Sequence, residues 1–194
     1  TRNSSNDYVT DGSTVMLGGI DLPVKSNGVS VSGMVKSYNP NNTTTIQLKQ
    51  GDTVIYETTI AKTTDSGQKE QGFSISTVAP GTYDLVVTKD AHLTYTVKNV
   101  KVEGTDLDLT KLTDKPYSTI TLLAGDVNED GKINSTDTTF IRYPSNFNKS
   151  VTSPGVDAIA DINGDGKINS TDTTIVRYPE NFNKNAGTHC TVQY

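Results

Sequence analysis

Six aspartates gathered in two short stretches are the residues of this chain best suited to chemistry. The first stretch runs Asp126-Val127-Asn128-Glu129-Asp130-Gly131-Lys132-Ile133-Asn134-Ser135-Thr136-Asp137, and the same pattern returns at 161–172. Both copies read D-x-N-x-D-G-K-I-N-S-T-D. Side-chain oxygens fall at positions 1, 3, 5, 9 and 12, and the backbone carbonyl of position 7 is available as well. A hard cation that wants six to eight oxygens suits such a set, and Ca²⁺ is the one held by short loops of alternating ligands. The expected ligands of a first ion are Asp126, Asn128, Asp130, the Lys132 carbonyl, Asn134 and Asp137. Those of a second ion are Asp161, Asn163, Asp165, the Lys167 carbonyl, Asn169 and Asp172. Gly131 and Gly166 at position 6 permit the sharp bend that a Cβ would resist. Ile133 and Ile168 at position 8 are placed for a short strand-like contact that pairs the two loops.

Other chemistries lack their residues. The chain has no G-x-S-x-G elbow, no Walker loop and no H-E-x-x-H. His92 and His189 form no ligand or catalytic set, and His92 is expected on the surface or at a sheet edge. Cys190 is the single cysteine, which excludes an internal disulfide, and no third group supports it as a nucleophile. Net charge is −5 with no basic patch, which argues against nucleic acid or an anionic membrane as partner. Two bound Ca²⁺ would bring that charge to −1. No apolar run approaches a membrane span, and the chain starts at Thr1, so it reads as an excised C-terminal piece of a larger secreted protein, monomeric on its own.

The elements that must carry the loops show in the periodicity. Residues 1–27 are polar and rich in Gly, Ser and Asn, either a linker or a first strand over 14–22 that pairs with the adjoining domain. From Val29 the apolar period becomes two, predicting strands at 29–37, 44–50, 53–61, 72–78, 81–89, 93–102 and 119–123. Turn signals such as Asn39-Pro40-Asn41-Asn42 and Gly51-Asp52 separate them. Short strands without a helical pattern predict a β-sandwich over 1–116, succeeded by a small α domain over 117–194. No Gly/Ser linker separates the two, so they are expected to pack together.

Segments 125–149 and 160–184 align as repeats differing at six positions: Gly125/Ala160, Val127/Ile162, Glu129/Gly164, Phe140/Ile175, Ile141/Val176 and Ser145/Glu180. Asn134 or Ser135 caps a helix that starts within the loop, Asp137 favours its positive end, and Pro144 and Pro179 stop the two helices after about two to three turns. Helices this short need the metal and each other. Phe140, Ile141, Ile175, Val176, Phe147 and Phe182 are expected in the core, and Tyr143 and Tyr178 either in the core, which is favoured, or at an interface. The tail from Thr188 to Tyr194 alternates like a closing strand.

The loops resemble EF-hands, with Asp137 and Asp172 where an EF-hand has Glu. With that aspartate, the Asn-Ser-Thr before it and the doubling, 125–184 resembles dockerins, the calcium-dependent plugs of cellulosome-type complexes. Upstream, Phe73-Ser74-Ile75-Ser76 and Val78-Ala79-Pro80-Gly81-Thr82-Tyr83 are similar to the Gly-Thr-Tyr corner of carboxypeptidase-regulatory-like and other transthyretin-like sandwiches, and to the X-modules that often precede dockerins, which implies an Ig-like or transthyretin-like sandwich. The resemblance implies a non-catalytic, extracellular X-dockerin that attaches a secreted bacterial protein to a cohesin on a scaffoldin or cell surface. Ser135, Thr136, Arg142, Ser170, Thr171 and Arg177 match the family's partner-contacting positions. The chain departs from the family pattern after each loop, where one Arg and then Tyr-Pro replace a longer helix with a basic pair. Near-identity of the repeats suggests two docking orientations related by a half-turn. The alternative is a carbohydrate-binding or adhesion module on a structural calcium stalk.

Overall fold

Strand periodicity carries through from Val29 onward. The computed structural model describes residues 15–17, 20–22 and 28–194. Its first half contains β1 (Val15–Leu17), β2 (Ile20–Leu22), β3 (Val29–Tyr38), β4 (Thr44–Gln50), β5 (Thr53–Ile60), β6 (Gln68–Val78), β7 (Gly81–Lys89), β8 (Ala91–His92), β9 (Tyr95–Val102) and β10 (Leu107–Asp108). The single strand expected over 14–22 is instead a hairpin, β1 antiparallel to β2, with Gly18-Gly19 between them in the sequence. The rest of 1–27 lies outside the described residues.

Two sheets enclose one core. In β3 every second residue from Val31 to Ser37 is buried, and in β4 Thr44, Ile46 and Leu48 are buried in the same alternation, as half-buried strands require. One sheet runs β9-β7-β4-β5 by antiparallel pairing. The other is built on β3, with β6 antiparallel on one side and β10 parallel on the other. Val31, Val35, Phe73 and Ile75 from the second sheet meet Ile46, Leu48, Leu85, Val87 and Val97 from the first in one buried cluster. Each such side chain contributes about 1.5–3 kcal/mol by leaving water. At the turn into β7, the Tyr83 hydroxyl donates to the Ala79 carbonyl at 2.9 Å, which fastens the corner over the core.

The second half consists of β11 (Ile120–Thr121), β12 (Ala124–Asp126), β13 (Lys132–Ile133), α1 (Ser135–Ile141), β14 (Lys149–Ser150), β15 (Lys167–Ile168), α2 (Ser170–Val176), β16 (Lys184–Asn185), α3 (Ala186–His189) and β17 (Thr191–Gln193). It is fastened to the sandwich at both ends. β11 lies parallel to β3 beyond β10, and β17 lies parallel to β9 as an outer strand of the other sheet. Tyr194 stacks on Tyr117 at 5.7 Å between centroids. The expected closing strand therefore exists, and it closes the sandwich rather than the cation-loop half. The buried cluster continues unbroken from Leu93 through Ala124 and Val127 to Ile133, Ile141, Ile162 and Ile168.

Candidate metal centres and docking face

Each loop is wound by its own carboxylates. Asp126 accepts the Asp130 and Gly131 amides at 3.0 Å, one on each oxygen. Asn128 Oδ1 accepts the Asp130 amide at 3.2 Å and Asp130 accepts that of Lys132 at 2.9 Å. Asp137 closes the ring, accepting the amides of Val127 at 3.1 Å and Asn134 at 2.8 Å. The second loop repeats the pattern, with Asp161 on Asp165 and Gly166, Asn163 on Asp165, Asp165 on Lys167, and Asp172 on Ile162 and Asn169. Gly131 and Gly166 take φ of +79° and +84°, the left-handed conformation that the sequence anticipates at position 6. Asn134 and Asn169, rather than the serines, cap α1 and α2, in capping boxes with Asp137 and Asp172. Both helices end before Pro144 and Pro179.

The electrostatics call for a cation. Asp126, Asp137, Asp161 and Asp172 are buried. The three ion pairs among the described residues, Lys69–Asp65, Lys98–Asp84 and Lys111–Asp108, use none of the loop carboxylates. Burial pushes Asp126 and Asp172 up to about 6, with the charges of Asp137 and Asp161 adding to the rise, while backbone amides pull the other way. Burial also raises Asp137 and Asp161. Among the described residues no three His, Cys, Asp or Glu side chains stand together as a metal-holding group. In these loops the donor set is mixed: three carboxylates, two Asn oxygens and one carbonyl per loop. Those oxygens keep lone pairs beyond the ones facing amides, so the residues present fit a hard divalent cation.

The loops interlock differently from the expectation. Ile133 and Ile168 do not pair with each other. β13 pairs with β16 and β15 pairs with β14, so each loop is closed by the segment just past the other repeat's helix. Asn183 N donates to the Ile133 carbonyl and Asn148 N to that of Ile168, both at 2.8 Å. The Pro-terminated helices send the chain back across the partner loop, and the isoleucine side chains are left free to fill the core between them at 0% exposure.

All six candidate docking residues, Ser135, Thr136, Arg142, Ser170, Thr171 and Arg177, are exposed. Ser135, Arg142 and Arg177 border one shallow depression of about 380 Å³ with Thr139, Tyr143 and Pro144, whereas Thr136, Ser170 and Thr171 lie off it. Arg142 stacks over Phe147 at 5.8 Å. Tyr143 and Tyr178, expected in the core, are 55% and 36% exposed. They come after the last turn of each helix, where the chain turns outward before proline. Phe140, Phe147 and Phe182 are half-buried, while Ile141, Ile175 and Val176 are fully buried.

Three sandwich residues at the seam were not legible as site residues. His92, expected at the surface, is buried. Its Nε2 accepts the Tyr38 amide at 3.2 Å and its Nδ1 donates to the Asp90 carbonyl at 2.7 Å. It lies opposite Ala124 where β8 pairs with β12, its neighbour Ala91 lies opposite Asp126, and burial lowers the imidazole to about 4. Asn39 and Gly67 reach the second loop: Asn39 Nδ2 donates to the Asp161 carbonyl at 3.1 Å and Gly67 N to the Asn163 carbonyl at 2.7 Å. Asn39 has a turn residue's backbone, φ +51°, and in the sequence it reads only as a turn. Cys190 is buried, which raises its thiol to about 11 and leaves it unreactive.

Residues 118–178 match the family model of the dockerin type I domain. This part of the chain is a dockerin domain. Dockerins of this type bind calcium, in keeping with the donor set of the loops. The chain is also similar to a chain of a type II cohesin–X-dockerin complex from Acetivibrio cellulolyticus carrying an N-terminal interface mutation. Identity is 26% over 82% of this chain and 98% of the other, with a TM-score of 0.61. A C-terminal interface mutant of the same complex matches at 25% identity and a TM-score of 0.60, with the same coverage. No curated protein matches the chain. The solved neighbours span both the sheets and the dockerin, so the sandwich ahead of the dockerin belongs to the likeness as well.

Proposed function

We propose that this protein is a non-catalytic, calcium-dependent attachment module that docks a secreted protein to a cohesin on a scaffoldin or cell surface. The observation that supports it most is the co-occurrence of two carboxylate loops that make no ion pair among the described residues and an exposed arginine-lined face directly beside them. The neighbours with the same two-part architecture come from cohesin–X-dockerin complexes, and cohesin is carried to this chain from them. Residues 1–116 act as the X-module, of Ig-like or transthyretin-like type as the Tyr83 corner suggests, and 117–194 as the dockerin. Two Ca²⁺ are held by Asp126, Asn128, Asp130, Lys132, Asn134 and Asp137, and by Asp161, Asn163, Asp165, Lys167, Asn169 and Asp172. Bound calcium neutralises the buried carboxylates and keeps α1 and α2 formed. Ser135, Thr136, Arg142, Ser170, Thr171 and Arg177 meet the partner, and the arginines select a surface with carboxylates. Among the described residues no helix is long and apolar enough to cross a membrane.

Pull-down against a panel of cohesins, with calcium and then with chelator, tests the reading. Retention by at least one cohesin, lost on chelation and weakened by Arg142→Ala with Arg177→Ala, is expected. Retention indifferent to chelator removes the calcium-dependent role.

A further inference from the structure

We propose that Asn39 of the sandwich is a positioning residue for the second cation loop, so that the sandwich and the metal at that loop stabilise each other. The proposal rests on the reading of 161–172 as a calcium loop.

Asn39 directly succeeds the last residue of β3, is buried, and has its own amide bonded to the Gly67 carbonyl at 3.1 Å. Asn39 Nδ2 and Gly67 N then take the carbonyls of Asp161 and Asn163, which are positions 1 and 3 of the loop. Pinning these two carbonyls from outside sets the backbone from which both side chains reach inward. A second contact shows how close the approach is. Gly164, at position 4, has φ of +72°, and a Cβ built there would lie 2.7 Å from Asn39 Cγ and nearer still to Oδ1. Position 4 of the first loop is Glu129, which is exposed. One of the six differences between the repeats thus coincides with the place where the sandwich touches a loop.

Among the described residues Asn39 Oδ1 has no hydrogen-bond partner. The side chain borders a cleft of about 470 Å³ with Asp90, Glu129, Asp161, Gly164 and Gly166, where the sandwich and both loops meet. Its hydrogen bond to Asp161 is therefore the bond that orients the amide. Groups that hold ligands in place from behind typically change metal affinity ten- to a hundredfold. Linkage requires the reverse effect as well: if Asn39 and Gly67 favour the metal-bound loop, metal at the loop must protect their bonds.

Calcium titration of the full chain by calorimetry tests this, with the Gly131 and Gly166 amide resonances reporting the two loops separately. Asn39→Gly keeps the left-handed backbone and removes only the side chain. It is expected to weaken calcium at the Gly166 loop roughly tenfold and to change the Gly131 loop less than twofold. Equal affinities at both loops in the variant and the unaltered chain would overturn the proposal. An unaltered chain that takes up no calcium would instead sink the calcium reading beneath it. Should the variant not fold, amide exchange at Gly67 in the unaltered chain decides. Calcium should slow that exchange several-fold, and a rate indifferent to calcium rules the coupling out.

Discussion

The two cation loops share almost every residue and sit in different surroundings. Loop 126–137 begins as β12, a strand laid against β8 of the sandwich, with buried His92 opposite Ala124. Loop 161–172 is held instead by side-chain and turn groups at Asn39 and Gly67. At position 4 the first loop tolerates the exposed Glu129, and the second has Gly164 beneath Asn39. Within each repeat the backbone obeys the same local rules, because Asp and Asn side chains wind the loop and cap the helix in the same way. The contrast teaches that local sequence makes the site, while the neighbouring sheet makes one site unlike the other. It also bears on the expected half-turn equivalence of docking orientations. The helix faces remain similar, but the backs of the two loops do not.

Chelation is expected to have the largest effect. Calcium at a hundredfold above Kd for each of two sites adds about 5 kcal/mol to the stability of the folded state, and removing it should melt α1 and α2. Because β13 pairs with β16 and β14 with β15, the two helices should go in one transition, while the β signal of the sandwich persists. Circular dichroism tracked during chelator titration checks this, and two separate helical transitions would break the interlock.

Acid should act through the back of the first loop. The pKa of His92 falls from its ordinary 6.5 to about 4 on folding, so below pH 6.5 the unfolded chain binds the proton and the folded one does not. Stability contributed by the neutral ring is complete above pH 6.5 and is lost as pH falls towards 4, up to roughly 3 kcal/mol. The loop carboxylates titrate in the same range with the opposite sign, and Lys89 and Asp90 stand beside the ring in every form. Comparing the unaltered chain with His92→Gln isolates the histidine. Urea midpoints at pH 6.5 and 4.5 should separate less in the variant, and equal separations would place His92 outside the seam's energetics.

A smaller effect is expected from exchanging the position-4 residues. Gly164→Glu forces a side chain into Asn39 on a left-handed backbone and should cost about 2 kcal/mol. Glu129 already carries a left-handed backbone, φ +57°, at an exposed position, so Glu129→Gly meets no side chain and should be neutral or stabilising by up to about 1 kcal/mol. Thermal melts of the two variants would show the asymmetry, and equal costs would mean that the seam yields at loop 161–172.

Much of this was legible beforehand. The alternation in β3, β4 and β7 located the sandwich strands, since a half-buried strand must repeat every second residue. Pro144 and Pro179 marked the helix ends, and D-x-N-x-D-G marked both loops, because capping, proline and metal-ligand rules act over a few residues. The errors lie at longer range. Tyr143 and Tyr178 look like core residues in a row with Phe140 and Ile175, but their exposure depends on how the chain leaves the helix. His92 looks like an edge residue until β12 is laid over it.

By itself the amino-acid order determined the ligand types, the bends, the caps and the strand pattern, all consequences of neighbours within one turn or one pleat. Only the tertiary structure decided which segment closes each loop, that β17 joins the sandwich, and that Asn39 stands over Gly164. Those are contacts between residues far apart in the chain. They form only when a shared apolar core, running from Val31 to Ile168, brings both halves against each other and obliges their remaining backbone groups to find partners.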